Sequence, residues 1–207
     1  MKITKISKQQ RGDRYNLFDD ETFIVGISAA VLARSGLSVG EELTADRLAS
    51  LQDDEGYGKA LAKAYDYLAR RPHATVELKR KLIAKEFDGK VIERTLAHLE
   101  HEGYLDDLAF AKIWISSRGS SRGDRLLRQE LRRKGVADEV VDQALAEEAD
   151  RDASSDIQAV ARKRYRQMTT LPWEKVYARL GGYLARRGYE MSDIRAVLAE
   201  LRQEHST

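Results

Sequence analysis

A single pattern of apolar and glycine positions occurs three times in this chain. Leu78, Leu82, Lys85, Glu86 and Phe87 are followed by Val91, Ile92 and Leu96. Shifted by 49 residues it returns as Leu127, Leu131, Lys134, Gly135, Val136, Val140, Val141 and Leu145. Shifted by a further 53 it returns as Leu180, Leu184, Arg187, Gly188, Tyr189, Asp193, Ile194 and Leu198. Only Asp193 is out of type. The spacing is helical, and the residue before Phe87, Val136 and Tyr189 is where one helix stops. Gly135 and Gly188 suit a left-handed position there. Glu86 does not, which predicts a weaker or differently built cap in the first copy. Another helical run precedes each copy, at 60–71, 108–118 and 156–168, after breaks at Pro72-His73, Gly119-Ser120-Ser121 and 169–172. The unit is therefore three helices in about fifty residues. So small a unit buries little surface alone, and stacked neighbours would extend its core. The competing reading is one globular bundle with helices of like composition.

The first fifty residues differ. Tyr15 and Leu17, then Phe23, Val25 and Ile27, alternate on either side of Asp19-Asp20-Glu21-Thr22, which predicts a β-hairpin. The region of Ile3 and Thr4 is a candidate third strand. Ser28 can cap a short helix over 29–34 that Gly36 ends, and Thr44 another through Leu51. Asp53-Asp54-Glu55-Gly56 then reads as a linker. The expected divisions are a strand-rich module with short helices over 1–55, and repeats over 56–105, 106–153 and 154–207.

Composition agrees with a folded, helical chain. Of 207 residues, 34% are charged and 42% hydrophobic, with two prolines and no cysteine. The missing cysteine excludes a disulfide framework, a thiolate zinc site and a cysteine nucleophile. The longest stretch free of charge and strong polarity, 23–33, is too short to span a membrane and follows acidic residues, unlike a signal peptide. The expectation is a soluble cytoplasmic protein.

No catalytic constellation is evident. His98 and His101 fall on one helix face, but only Glu102 accompanies them, and a zinc site needs three or four ligands. Glycine-rich phosphate loops and a nucleophile elbow are absent from the sequence. Asp106-Asp107 and Asp19-Asp20-Glu21 suit turns and helix starts. The sequence nominates no metal, no cofactor and no catalytic residue.

Charge segregation is more informative than the net charge of +2. Residues 118–134 hold seven basic side chains (Arg118, Arg122, Arg125, Arg128, Arg132, Arg133, Lys134) against Asp124 and Glu130. Arg125, Arg128 and Arg132 lie on one helix face, and arginines flank a loop of glycine and serine. Residues 157–188 hold eight (Arg162, Lys163, Arg164, Arg166, Lys175, Arg179, Arg186, Arg187) against Glu174. Residues 138–156 carry eight acidic side chains against Arg151. Such segregation creates a strong local field. The basic segments either grip phosphates or an acidic protein surface, or pair with the acidic segment. The loop at 118–123 has no evident packing reason to be so basic, so external contact is expected there. From the second cluster Arg162, Lys163, Arg164 and Arg166 are nominated. Only Gln129 accompanies the first cluster, which argues against base readout. Among Tyr104, Phe110, Trp114, Tyr165, Trp173 and Tyr183, all candidates for base stacking, Phe110 and Trp114 are expected to pack with Ile113. Tyr104 is expected to seal the joint between the first two repeats.

Tyr67-Leu68-Ala69-Arg70-Arg71-Pro72-His73 with Glu77-Leu78 and Lys81-Leu82 resembles the opening motif of the RecX family of bacterial recombination regulators. Gly103-Tyr104-Leu105-Asp106-Asp107, Phe110-Ala111, Trp114 and Ser117-Arg118 resemble its central signature, which Arg122-Gly123, Leu127, Glu130-Leu131 and Lys134-Gly135-Val136 continue. Gly188-Tyr189, Ile194-Arg195 and Leu198 match its C-terminal element. The family often has serine at the position of Ala74, as a helix cap, and usually glycine at that of Glu86. The first fifty residues look like an N-terminal extension that some members carry. The resemblance implies an elongated, curved, mainly α array of three tandem three-helix repeats after a small β-hairpin-containing module. It implies binding to the RecA recombinase filament on single-stranded DNA. The implied outcome is inhibition of strand exchange, ATP hydrolysis and co-protease activity, with no catalytic centre and with weak DNA binding. A rod of this kind fits the helical groove of the filament. A monomer is expected, because no long apolar heptad run is left over. The alternative is a free-standing helix-turn-helix-like DNA-binding module.

Overall fold

The computed structural model describes residues 1–148 and 153–205, with the backbone alone over 153–155. The chain divides into two compact units, Met1–Arg71 with Leu78–Tyr104, and Pro72–Glu77 with Leu105–Thr207.

The first unit begins with an antiparallel sheet of β1 (Lys5–Lys8), β2 (Arg14–Asp19) and β3 (Thr22–Ser28), in that order. Leu17 pairs with Val25 and Tyr15 with Ile27, with a bulge between Leu17 and Phe18. The alternation buries Leu17, Val25 and Ile27, and Ile3 joins them from outside the strands. Helix α1 (Ala29–Ser35) starts where the Ser28 hydroxyl accepts from Val31 N–H and stops at Gly36, φ 65°. Helix α2 (Ala45–Leu68) starts at Thr44, whose hydroxyl accepts from Arg47 N–H. It runs unbroken through Asp53-Asp54-Glu55-Gly56, so the expected linker is helix. The acidic side chains there are held from afar. Asp54 accepts from Arg94 at 2.7 Å, and Glu55 accepts from Ser28 N–H at 2.8 Å and from Arg14. At Gly56 an added Cβ would crowd Val91 Cγ2 at 3.2 Å. Helices α3 (Thr75–Ile83) and α4 (Gly89–His101) bury Leu78, Leu82, Val91, Ile92, Leu96 and Leu99. Helix α4 is capped by Asp88.

The second unit holds α5 (Asp107–Arg118), a 3-10 turn at Gly119–Ser121, α6 (Asp124–Lys134) and α7 (Asp138–Glu147). Helices α8 (Ala153–Tyr165), α9 (Trp173–Arg186) and α10 (Met191–His205) follow. Phe110, Ile115, Leu127, Leu131, Val136 and Val141 form one core, and Ile157, Val176, Leu180, Leu184, Ile194 and Leu198 another. Each of these apolar side chains contributes roughly 1.5–3 kcal/mol by leaving water. Ile113, expected to pack with Phe110 and Trp114, is instead 55% exposed. It sits one residue before Trp114, about 100° round the helix.

The three repeats end their middle helices in the same way. Phe87 N–H reaches Leu82 O, Val136 N–H reaches Leu131 O, and Tyr189 N–H reaches Leu184 O. The residues between stand at positive φ, Glu86 at 60°, Gly135 at 90° and Gly188 at 85°. This is the six-to-one bond of a Schellman ending. The cap expected to be weaker or differently built at Glu86 has the same construction as the other two, and its closing bond is the longest of the three, 3.5 Å against 3.1 and 3.4 Å. Among the described residues no helix is long and apolar enough to cross a membrane.

Candidate functional site

Helix α6 buries Leu127 and Leu131 completely and exposes Arg125, Gln129, Arg132 and Arg133. Its basic residues fall into two sets. The first surrounds Trp114. The Arg118 guanidinium lies 3.5 Å from the Trp114 ring centroid and Lys134 Nζ lies 4.7 Å from it. Trp114 Nε1 donates to Glu130 at 2.9 Å, and Glu130 also accepts from Arg122. Lys134 pairs with Glu77 at 3.0 Å, both less than a fifth exposed. Arg118, Arg122 and Lys134 therefore have packing roles. The loop at 118–123 does have an internal reason to be basic, which corrects the argument made from sequence.

The second set lies farther out. Arg125 donates to Ala185 O, Arg128 Nε to Asp142 at 3.1 Å, and Arg132 Nε to Asp138 at 2.5 Å. Arg125, Arg132 and Arg133 are exposed. The acidic stretch at 138–156 thus neutralises part of this face. Its Asp150 and Asp152, with Arg151, lie outside the described residues.

In the third repeat Arg162 pairs with Glu204 at 2.7 Å, and Lys163 and Arg166 are exposed. Arg164 donates to Gln167 at 2.6 Å and lies 5.4 Å from the Tyr183 ring centroid. Arg187 lies 4.8 Å from the same ring and donates to Ser121 O at 2.8 Å. Three surface clefts follow from this arrangement. One, of about 590 Å³, is lined by Arg125, Gln129, Arg132 and Arg186. A second, of about 580 Å³, shares Arg186 and adds Arg164, Arg179 and Tyr183. A third, of about 460 Å³, shares Tyr183 and adds Lys163 and Arg187. Among the described residues no carboxylate lines any of the three. Arg179, Arg186 and Arg187 were counted in the sequence cluster but not nominated. The repeat could have flagged Arg187, which stands at the position of Lys85 and Lys134 in the other two copies.

The motif residues are structural. Asp106 caps α5 by accepting from Ala109 N–H, and Asp107 accepts from Thr75 N–H at 2.8 Å. That bond does for α3 what a serine at position 74 would do, and Ala74 is buried instead. Leu105 and Phe110 are buried, and Gly103 turns at φ 73°. Tyr104 is 56% exposed and meets Tyr65 edge-on at 5.2 Å within the first unit. Gly135 faces Val76, and Gly188 faces Leu126 and Gly123, so closely that a Cβ at any of the three glycines would clash. His98 packs edge-on against Tyr57, and among the described residues no group of three potential metal ligands occurs.

Comparison with known proteins agrees with these motifs. Residues 60–99, 106–145 and 155–198 match, in turn, the first, second and third three-helix domains of RecX, and residues 1–44 match the regulatory protein RecX N-terminal domain. Regulatory protein RecX of Bacillus pumilus is 30% identical over 96% of this chain and 76% of its own length. That of Clostridium tetani is 28% identical over 97% of this chain and 94% of its own. A crystal structure of regulatory protein RecX superposes with a TM-score of 0.75 at 24% identity, covering 95% of this chain and 98% of that one. A second, RecX from Lactobacillus salivarius, gives 0.66 at 17% identity over 72% of this chain and 99% of its own. These likenesses carry the fold, and the sequence matches carry the kinship: the chain belongs to the RecX family of regulatory proteins.

Proposed function

We infer that this protein regulates the RecA recombinase by binding its filament on single-stranded DNA, in the helical groove. Binding inhibits strand exchange, ATP hydrolysis and co-protease activity, with no bond made or broken by the regulator itself. It acts as a monomer in the cytoplasm, where its partner works. The observation that carries this reading is the outward basic face of α6, continued by clefts that, among the described residues, no carboxylate lines. Arg125, Arg128, Arg132 and Arg133 meet acidic recombinase surface or DNA phosphates, and Arg162, Lys163, Arg164 and Arg166 extend the contact. Successive repeats engaging successive protomers would add avidity without any single strong contact.

The test is the double substitution Arg125→Glu with Arg128→Glu. Arg125 is exposed and Arg128 half-buried, and neither belongs to an apolar core, so helical circular dichroism should be retained while inhibition of strand exchange weakens at least tenfold. A folded double variant that inhibits as well as the parent rules out this face. The basic clefts also support a second reading, a DNA-binding module acting without the recombinase. That reading requires tight binding to naked DNA with a log–log salt slope of roughly −3 to −5, for about four to six phosphates engaged. Strong filament binding with weak naked-DNA binding excludes it.

A further inference from the structure

The second of the basic clefts brings three arginines, an aromatic ring and apolar side chains together, whereas the first lacks the ring and the third has one arginine and one lysine. Met168 is 6% exposed and Leu171 half-buried, and both belong to the core of the third repeat. Around them stand Arg164, Arg179, Arg186 and the Tyr183 ring. Arg164 donates to Gln167 and lies over the Tyr183 ring, so one guanidinium already faces the aromatic group of the cleft. The neighbouring cleft at Gly119 shows the opposite chemistry, with Asp124, Asp156, Glu190 and Asp193 in its lining.

A simple anion needs cations but no apolar floor. An apolar ligand needs the floor but not three arginines. A nucleotide needs both, a flat ring to lie against apolar and aromatic groups and a phosphate for the guanidiniums. The volume, about 580 Å³, lies within the usual range of small-ligand pockets. The cleft is also not isolated. Arg186 continues it into the cleft of Arg125 and Arg132, and Tyr183 into that of Lys163. A polymer can therefore enter and leave over basic surface. We propose that the third repeat holds a nucleotide pocket that takes one splayed base of a single strand, with its phosphate on Arg164, Arg179 and Arg186. A duplex keeps its bases paired inside and cannot fill the pocket. The pocket does not depend on the recombinase reading, since it operates on naked strand.

The experiment uses the full chain and fluorescence anisotropy at fixed salt, with four probes. These are a labelled 20-residue thymidine strand, an abasic strand of equal length, a duplex and a polyglutamate peptide of equal charge. The thymidine strand should bind roughly 5- to 100-fold more tightly than the abasic one, the span that one stacked base supplies. Ala178 lines the same cleft and is exposed. Ala178→Trp fills the cleft without changing charge and should lower thymidine-strand affinity to the abasic level. Equal affinity of the parent protein for thymidine and abasic strands overturns the proposal even if that variant fails to fold. So does polyglutamate competing as well as the strand, which would make this an acidic-protein site. Adenosine monophosphate displacing the strand at equal nucleotide concentration would assign the pocket to free nucleotides and overturn the strand assignment.

Discussion

Three residues at one repeat position separate two demands that sequence reading merges. Glu86, Gly135 and Gly188 all stand at positive φ and end their helices with the same backbone bond. A left-handed residue costs a non-glycine about 1–2 kcal/mol, and Glu86 tolerates it in the open. Gly135 and Gly188 cannot be anything else, because Val76 and Leu126 occupy the space a Cβ would need. The cap was legible at the two glycines, since it depends on neighbours along the chain, but not at Glu86, where a charged residue takes the same conformation. The close approach was not, because its partners lie more than fifty residues away. Gly188→Ala should therefore cost more than 2 kcal/mol, combining strained φ with overpacking against backbone. Glu86→Gly should be neutral or gain up to about 1 kcal/mol, with the relief partly offset by chain entropy. Urea midpoints measure both. A Gly188→Ala protein that unfolds at the parental midpoint would show that the approach is not a constraint.

At the scale of elements, the misread linker is instructive. Asp53, Asp54, Glu55 and Gly56 have loop composition, yet they sit inside a 24-residue helix. Their polarity is satisfied by partners that sequence distance hides, Arg94 for Asp54 and Arg14 with Ser28 for Glu55. Glu55 is 6% exposed and joins α2 to the ends of β2 and β3. Burial alone would raise its carboxyl pKa, but the Ser28 N–H and the Arg14 guanidinium outweigh that and hold it below its ordinary value. A depressed carboxylate stabilises the fold above the unfolded-state pKa, near 4.5, and loses that contribution as pH falls through the lower folded-state value. Glu55→Gln should cost roughly 1–3 kcal/mol at pH 7, the worth of hydrogen bonds to a charged group. The gap between variant and parent should shrink below pH 4.5. Thermal unfolding by circular dichroism at pH 7, 5 and 3.5 reads this directly. A gap that is constant across that range would mean the charge of Glu55 contributes nothing.

For the whole molecule, a net charge of +2 conceals the feature that matters. The repeat pattern and the segregation of charge were both visible in the sequence. What was not visible was how the cations divide between internal and external use, since that depends on where α7 and Trp114 lie. Arg118, Arg122 and Lys134 are held around Trp114, whereas Arg128 and Arg132 meet only exposed carboxylates of α7, Asp142 and Asp138. Such exposed pairs contribute little to stability, but each carboxylate lowers the field that a polyanion meets on approach. If this face engages the recombinase filament, Asp138→Asn with Asp142→Asn should strengthen filament binding by about two- to fivefold at low salt, with little change in melting temperature. The gain should vanish as salt rises, because at 1 M the screening length falls to about 3 Å and an unpaired arginine no longer projects its charge. Sedimentation with recombinase filaments, with and without single-stranded DNA, across a salt series separates the alternatives. Stronger binding that fades with salt places α6 at the contact. Weaker binding at low salt would mean that the carboxylates, rather than the arginines, face the partner, and unchanged binding would place this face of the second repeat outside the contact.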